Sequence, residues 1–335
     1  MSSVNVSLTD ARAVVTQYRN LAMSGVVLVG LIIFGATTID GFWSLLNLRQ
    51  NLVFASFLGI ASIGQTLCAL IGGLDLSIAF VIGAANIGIV KFFNLGWSSA
   101  LAVLVILCAA AGVGALSGLI SSRQRGQDLV VTLGVGTALL GLVQIAVSSG
   151  GNSGVSGGMI MGTVPKWITN LTSLDSAIGF APSVVLWAVL AAITMLLLRR
   201  TWVGRGLYAL GGNQTAAERV LIPRRWMWIL VYAVSAVTAA SAGILLLGFT
   251  GGGYAAVGNP YLFTTIAAVL IGGTSLVGGQ GGYGLTMMGV LILTVLQTIL
   301  SGYSLSYSAQ EAIYGALIIP MVALYARSPH PRTLV

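Results

Sequence analysis

The chain has 335 residues, 57% of them hydrophobic and only 7% charged, with a mean hydropathy of +0.99 and a formal net charge of +8. Soluble domains carry about 25% charged residues, so a single water-soluble core is excluded and the composition is that of an integral membrane protein.

Apolar runs of about 17 to 23 residues, enough to cross the hydrocarbon layer as helices, lie near 22–39, 52–71, 76–94, 98–120, 129–147, 181–198, 227–248, 263–280, 283–301 and 311–326. They lack the dyad alternation of barrel strands, so an all-α protein of about ten transmembrane helices is expected. The first run follows a polar tail over 1–21 and is not trailed by a small-residue cleavage site, which reads as a retained anchor. The organisation expected is that tail, a transmembrane portion over 22–326 with an outer loop at 148–180 and an inner loop at 199–226, and a tail over 327–335.

Lys and Arg set the orientation. With the N-terminus inside, the inner segments hold Arg12, Arg19, Arg123, Arg125, Arg199, Arg200, Arg205, Arg219, Arg224, Arg225, Arg327 and Arg332, and the outer segments only Arg49, Lys91 and Lys166. This bias predicts that both termini are cytoplasmic. It also accounts for the net charge, with anionic lipid headgroups as neighbours; no aromatic-basic platform accompanies the arginines, so nucleic acid is not an expected partner.

Little in the chain reads as chemistry. Cys68 and Cys108 fall inside expected spans, where a thiol behaves as a small hydrophobe, so neither a disulfide nor a metal site is inferred. The only histidine, His330, sits in a Pro-flanked tail. No nucleophile–base set can be assembled, and neither Lys91 nor Lys166 follows the Gly-rich run that cradles a phosphate. Catalytic residues, metal and cofactor are therefore not expected in this chain. The outer stretch SSGGNSGVSGGMIMGTVPKWITNLTSLD, residues 148–175, is too long for a mere turn. It reads as a flexible connector or as a surface receiving an outside partner, with Met159, Met161 and Trp167 as apolar contact points; Asp40 and Asp175 fall in outer segments.

The polar stretch GRGLYALGGNQTAAERVLIPRRW, residues 204–226, interrupts this apolar chain. Thr215-Ala-Ala-Glu218 has the form of a capping box, Asn213 is a second possible cap, and Pro223 is expected to end the helix. The result would be a helix of about two turns between arginine clusters, tipped by Val220, Leu221 and Ile222. It would either enter a groove on another protein or lie on the headgroups.

The pattern carried by Gly204, Arg205, Tyr208, Ala209, Gly211, Gly212, Asn213, Ala216 and Ala217 resembles the coupling loop of the monosaccharide ABC importer permeases, the ribose, xylose, arabinose and galactose type. LIGGLDLS at 70–77, VTLG at 131–134 and IAAVLIGGTSLVGGQG at 266–281 resemble three further signatures of that family, so the likeness runs from about residue 45 to 326. Two departures stand out: Val220-Leu221-Ile222 replaces the usual Ser-Gly-Ile, and Gln127-Asp128 stands where a proline is common.

The resemblance implies a permease subunit of the cell inner membrane that forms the path for a sugar. A second permease copy or homologue, two cytoplasmic ATPase subunits binding ATP and Mg, and a periplasmic sugar-binding protein would complete the assembly. Coupling would run through Gly204, Arg205, Tyr208, Gly211, Gly212, Asn213, Ala216, Ala217, Glu218 and Arg219. Asp75, Ser77, Thr274 and Ser275 are the candidates for the path, since an ionisable group at membrane depth suggests function. Asp75 could equally cap the helix opening at Leu76, and Thr274 and Ser275 could be small residues that allow close packing. The echo of LIGG at 70–73 and 270–273 hints at a duplication. Glu311 with Ser308 reads as a capping box for the last span. The rivals are an ion-coupled secondary transporter, which would want buried acids and no docking helix; a membrane enzyme, which would want clustered acids or histidines; and an ABC permease whose cargo is branched-chain amino acids or a furanose-like or signal-type sugar derivative.

Overall fold

The computed structural model describes residues 8–124, 126–148, 159–160, 162–174 and 179–326. Arg125, Met161, Asp175, Arg327, His330 and Arg332, with much of the 148–175 loop, lie outside the described residues. In chain order the helices are α1 Leu8–Thr38, α2 Leu45–Leu70, α3 Ile78–Asn94, α4 Ser99–Arg123, α5 Asp128–Ser148, the short α6 Lys166–Leu171, α7 Pro182–Arg200, α8 Trp202–Gly212, α9 Gln214–Arg219, α10 Arg224–Thr250, α11 Tyr261–Gly272, α12 Tyr283–Gly302 and α13 Tyr307–Ala326. A two-residue strand, Met159–Ile160, pairs antiparallel with Gly253–Tyr254.

Among the described residues eight helical segments are long and apolar enough to cross a membrane. With the 17-residue α3 and the 20-residue α13 they account for the ten expected spans. Three local expectations change. The expected span 263–280 stops at Gly272, where Gly273 turns left-handed (φ 94°) and 273–282 runs as irregular backbone. The helix in α1 reaches back to Leu8, into the stretch expected as a tail. The last span opens two residues earlier than its presumed box, because Ser306 rather than Ser308 accepts from the Ala309 N–H; Glu311 is exposed and accepts from the Tyr307 hydroxyl at 2.6 Å.

Small residues let the helices touch. A Cβ on Gly114 or Gly118 of α4 would fall 2.2 Å from the Tyr232 carbonyl or 2.5 Å from that of Trp228, so α4 and α10 meet backbone to side-chain root. Without a hydrophobic drive between helices in lipid, such close approach is what binds them. On its other faces α10 packs against α2 and α3, where Gly64 meets Ser235 and Gly243 meets the Ile82 carbonyl. Large apolar side chains such as Val26 of α1, Leu104 of α4, Leu142 of α5 and Leu196 of α7 remain exposed, as befits surfaces facing lipid or another subunit.

The connections sort into two ends. One gathers the 71–77 loop, the start of α5, α8 with α9, and the 273–282 loop, and carries Arg123, Arg199, Arg200, Arg205, Arg219, Arg224 and Arg225. The other gathers Arg49, Lys91 and Lys166, with Arg49 donating to the Leu174 carbonyl and Trp167 to Ser99 Oγ. Trp202 and Trp226 stand exposed at the arginine-rich end, the position interfacial tryptophans take beside headgroups.

Both copies of LIGG end a helix with the same pair of backbone hydrogen bonds, one residue out of register. At the first, Gly72 is left-handed (φ 78°) and the Gly73 N–H reaches back to the Cys68 carbonyl; at the second, Gly273 is left-handed and the Thr274 N–H reaches the Val269 carbonyl. This double closure satisfies the orphan carbonyls of a helix end; it falls on the first glycine of one copy and the second of the other, so the repeated letters do not mark equivalent positions.

Candidate functional site

The polar stretch folds as two short helices laid across the arginine-rich end. Thr201 starts α8 by accepting from the Gly204 N–H at 3.2 Å, and Gly204 is obligatory there because a Cβ would lie 2.2 Å from the Leu198 carbonyl. Asn213 separates α8 from α9 and caps the latter, its side chain accepting from the Ala216 N–H at 3.1 Å. The cap is thus Asn213, and Thr215 sits inside the helix, because α9 begins at Gln214. The helix stops at Arg219, four residues before Pro223. Its end is closed by Leu221 N–H to Glu218 and Ile222 N–H to Ala217, with Leu221 left-handed at φ 61°. That is the closure used at both LIGG ends, with leucine where they have glycine.

The four signature segments meet here. The Gly279 N–H donates to the Leu70 carbonyl at 2.9 Å, and Gly211 lies against both. The Tyr208 hydroxyl donates to the Gly281 carbonyl at 2.9 Å. The Leu76 N–H donates to Thr132 Oγ of VTLG at 3.1 Å, and the Leu74 N–H to an Asp128 carboxylate oxygen at 2.7 Å. The departure at 127–128 therefore supplies an acceptor that a proline could not. Of the expected coupling residues, Gly204, Gly211 and Ala217 are buried and Tyr208 half-buried, while Arg205, Gly212, Asn213, Ala216, Glu218 and Arg219 are exposed. Glu218 reaches Arg224 of α10 at 3.6 Å, and that guanidinium lies 5.9 Å from the Trp228 ring centre, a second tie between α9 and a span.

Asp75 and Ser77 sit in the loop joining α2 to α3. One Asp75 carboxylate oxygen accepts from the Ser77 N–H at 2.9 Å and the Ser77 hydroxyl at 2.5 Å; the other accepts from Ser235 Oγ of α10 at 2.7 Å. Asp75 is buried, and burial pushes its carboxyl above the usual carboxylate range, against the pull of the Ser235 and Ser77 hydrogen bonds. The helix begins at Ile78 rather than Leu76, with Ser77 at its cap position. Thr274 Oγ accepts from the Gly282 N–H at 3.1 Å and donates to the Gly282 carbonyl at 3.2 Å, and Ser275 Oγ accepts from the Val277 N–H at 3.2 Å, so both staple the 273–282 loop. Ser235, Asp128 and Leu70 were invisible to sequence reading as partners here, because each lies far along the chain from the residue it braces.

The family described as branched-chain amino acid transport system / permease component matches residues 47–322. The chain belongs to that family. Curated relatives include the autoinducer 2 import system permease protein LsrD of Escherichia coli K12 and of Shigella flexneri, each 27% identical over 317 residues that cover 92% of this chain and 92% of the relative. No solved structure matches. As a permease component this protein is a transport subunit and a multi-pass protein of the inner membrane, and its helices supply the spans such a permease needs.

Proposed function

We propose that this permease forms the membrane path of an ATP-driven importer for a small sugar-like solute, and that α8–α9 is the handle through which separate ATPase subunits move it. The observation that carries this reading is the seating of α8: glycine backbone lies directly on the ends of α2 and the 273–282 loop, so a push on α9 is passed to the spans without a soft layer of side chains between them. The arginine-rich end is then cytoplasmic, with both chain termini on that side. Two ATPase subunits binding ATP and Mg, a second permease copy or homologue, and a periplasmic binding protein complete the assembly, with lipid around it and no nucleic acid. A nucleotide shifts such a transporter only by its differential affinity for two forms, which a rigid handle converts into helix displacement.

The relatives named for autoinducer 2 favour a sugar-like cargo, whereas the family description favours branched-chain amino acids. The buried Asp75–Ser77–Ser235 set and the Thr274–Ser275 loop act in this reading as the frame at the inner mouth of the path. Reconstitution with the ATPase and binding-protein subunits that co-purify with this chain tests the proposal. ATP-dependent uptake of a hydroxylated solute is expected; accumulation by this chain alone, driven by an ion gradient, would overturn it.

A further inference from the structure

At the end away from the arginines, a recess of about 560 Å³ opens between the start of α2, the end of α12 and the α1–α2 turn. Its wall carries Asn47, Gln50 and Asn51 from α2 and Gln297, Thr298 and Ser301 from α12, six side chains that hydrogen-bond and none that is charged. Asn51 and Gln297 lie roughly one and a half turns inside their helix ends, about 8 Å at the helical rise. Amides at that depth belong against a water-filled cavity, since hydrocarbon would leave them unsatisfied.

The Thr298 hydroxyl donates to Asn51 Oδ1, tying α12 to α2 and orienting the Asn51 amide nitrogen as a donor. Gln50 and Gln297 have no side-chain hydrogen bond to protein among the described residues, so two complete amide groups, each with donors and an acceptor, are open to a ligand. Phe42 and Phe54 supply an apolar surface beside them. No cation lines the recess; its one ionisable residue is Asp40, exposed in the turn.

We infer that this recess is a cargo contact on the outer side of the path, built for a small uncharged polyhydroxylated solute. Paired amides match hydroxyl groups, which both donate and accept, and the volume falls in the range of small-molecule sites. A free amino acid would bring a carboxylate that finds no cation here. The inference rests on the importer reading above and names its substrate contact, at a place separate from the handle and from the Asp75 and Thr274 loops.

The test is uptake of radiolabelled autoinducer 2, D-ribose and L-leucine by the complete transporter in proteoliposomes, with wild type, the double variant Gln50→Ala/Gln297→Ala, and Gln297→Trp. The double variant should raise the KM of the hydroxylated probe that wild type imports by about tenfold, with maximal rate and ATPase co-purification kept. Gln297→Trp should fill the recess and stop uptake. Unchanged KM in the double variant together with normal uptake by Gln297→Trp would overturn the inference and leave the importer reading standing. Import of L-leucine alone by wild type would overturn the sugar-like reading and the inference with it.

Discussion

Gly211 and Gly279 meet backbone to backbone. A Cβ on Gly211 would lie 2.3 Å from the Gly279 nitrogen and 1.9 Å from the Leu70 carbonyl oxygen, the same oxygen that accepts the Gly279 N–H. Backbone cannot rotate away as a side chain can, so Gly211→Ala must lift α8 off the spans, at about 1 to 3 kcal/mol. Reconstituted uptake should fall at least tenfold while ATPase subunits still co-purify. Gly112→Ala of α4 is the control, since an added Cβ there also meets nothing within 4 Å; it should transport as wild type does. Equal behaviour of the two variants would remove the rigid contact from the mechanism.

Leu221 occupies a left-handed position with 89% of its surface exposed, beside Val220 at 71%. Left-handed backbone costs a residue with a Cβ roughly 1 to 2 kcal/mol, and so exposed a leucine recovers little of it by packing within this chain. Leu221→Gly should therefore stabilise the turn, slowing amide exchange at Leu221 and Ile222 about fivefold. If the apolar tip is an ATPase contact, the same variant should bind the ATPase subunit more weakly. Faster amide exchange in Leu221→Gly would show that the leucine side chain stabilises the turn.

The two alanines of α9 differ in burial. Ala216 is exposed, whereas Ala217 is 3% exposed and belongs to the buried cluster of Leu207, Leu210 and Met227. A charged side chain at 216 should weaken ATPase co-purification and uptake with the fold intact. At 217 the same change buries an unpaired charge, so it should destabilise α9 itself and lower the yield of folded protein. Separate substitutions read by co-purification and by thermal unfolding in detergent distinguish these outcomes; a clean fold in Ala217→Glu would contradict the buried placement.

Most of this architecture was legible in the sequence, for a physical reason. Membrane spans declare themselves by length and hydropathy, and the arginines cluster at one end, so the ten helices and the arginine-rich loop could be placed from the pattern of hydropathy and charge. What could not be read was where backbone departs from helix under a continuous apolar pattern. Residues 273–280 look like the end of a span, yet left-handed glycines make them a loop whose amide at 279 is given to Leu70. Caps were ambiguous by one or two residues because Asn213, Thr215, Ser306 and Ser308 are all competent, and only the fold decides which hydroxyl or amide meets a free N–H. The recess near Gln297 was illegible for another reason: its polar residues come from two helices some 250 positions apart, and nothing in either stretch alone points to the other.

Asp75 offers the last test, because its geometry fixes the sign of a pH effect. The folded state raises its carboxyl above the unfolded value of about 3.9. Between the unfolded and the raised folded values the native protein holds more protons, so stability falls as pH rises through that window and is greatest below it. Asp75→Asn keeps an acceptor for Ser77 and offers its amide to Ser235 Oγ, so it should flatten that slope and be at least as stable as wild type at neutral pH. Asp75→Ala leaves the Ser77 N–H and the Ser235 hydroxyl without their partner and should cost about 1 to 3 kcal/mol. Thermal unfolding of the three proteins in detergent from about pH 4 to pH 8 reads both effects. Full uptake by Asp75→Asn would make the residue a brace between α3 and α10; loss of uptake with stability intact would show that the negative charge itself is needed for transport.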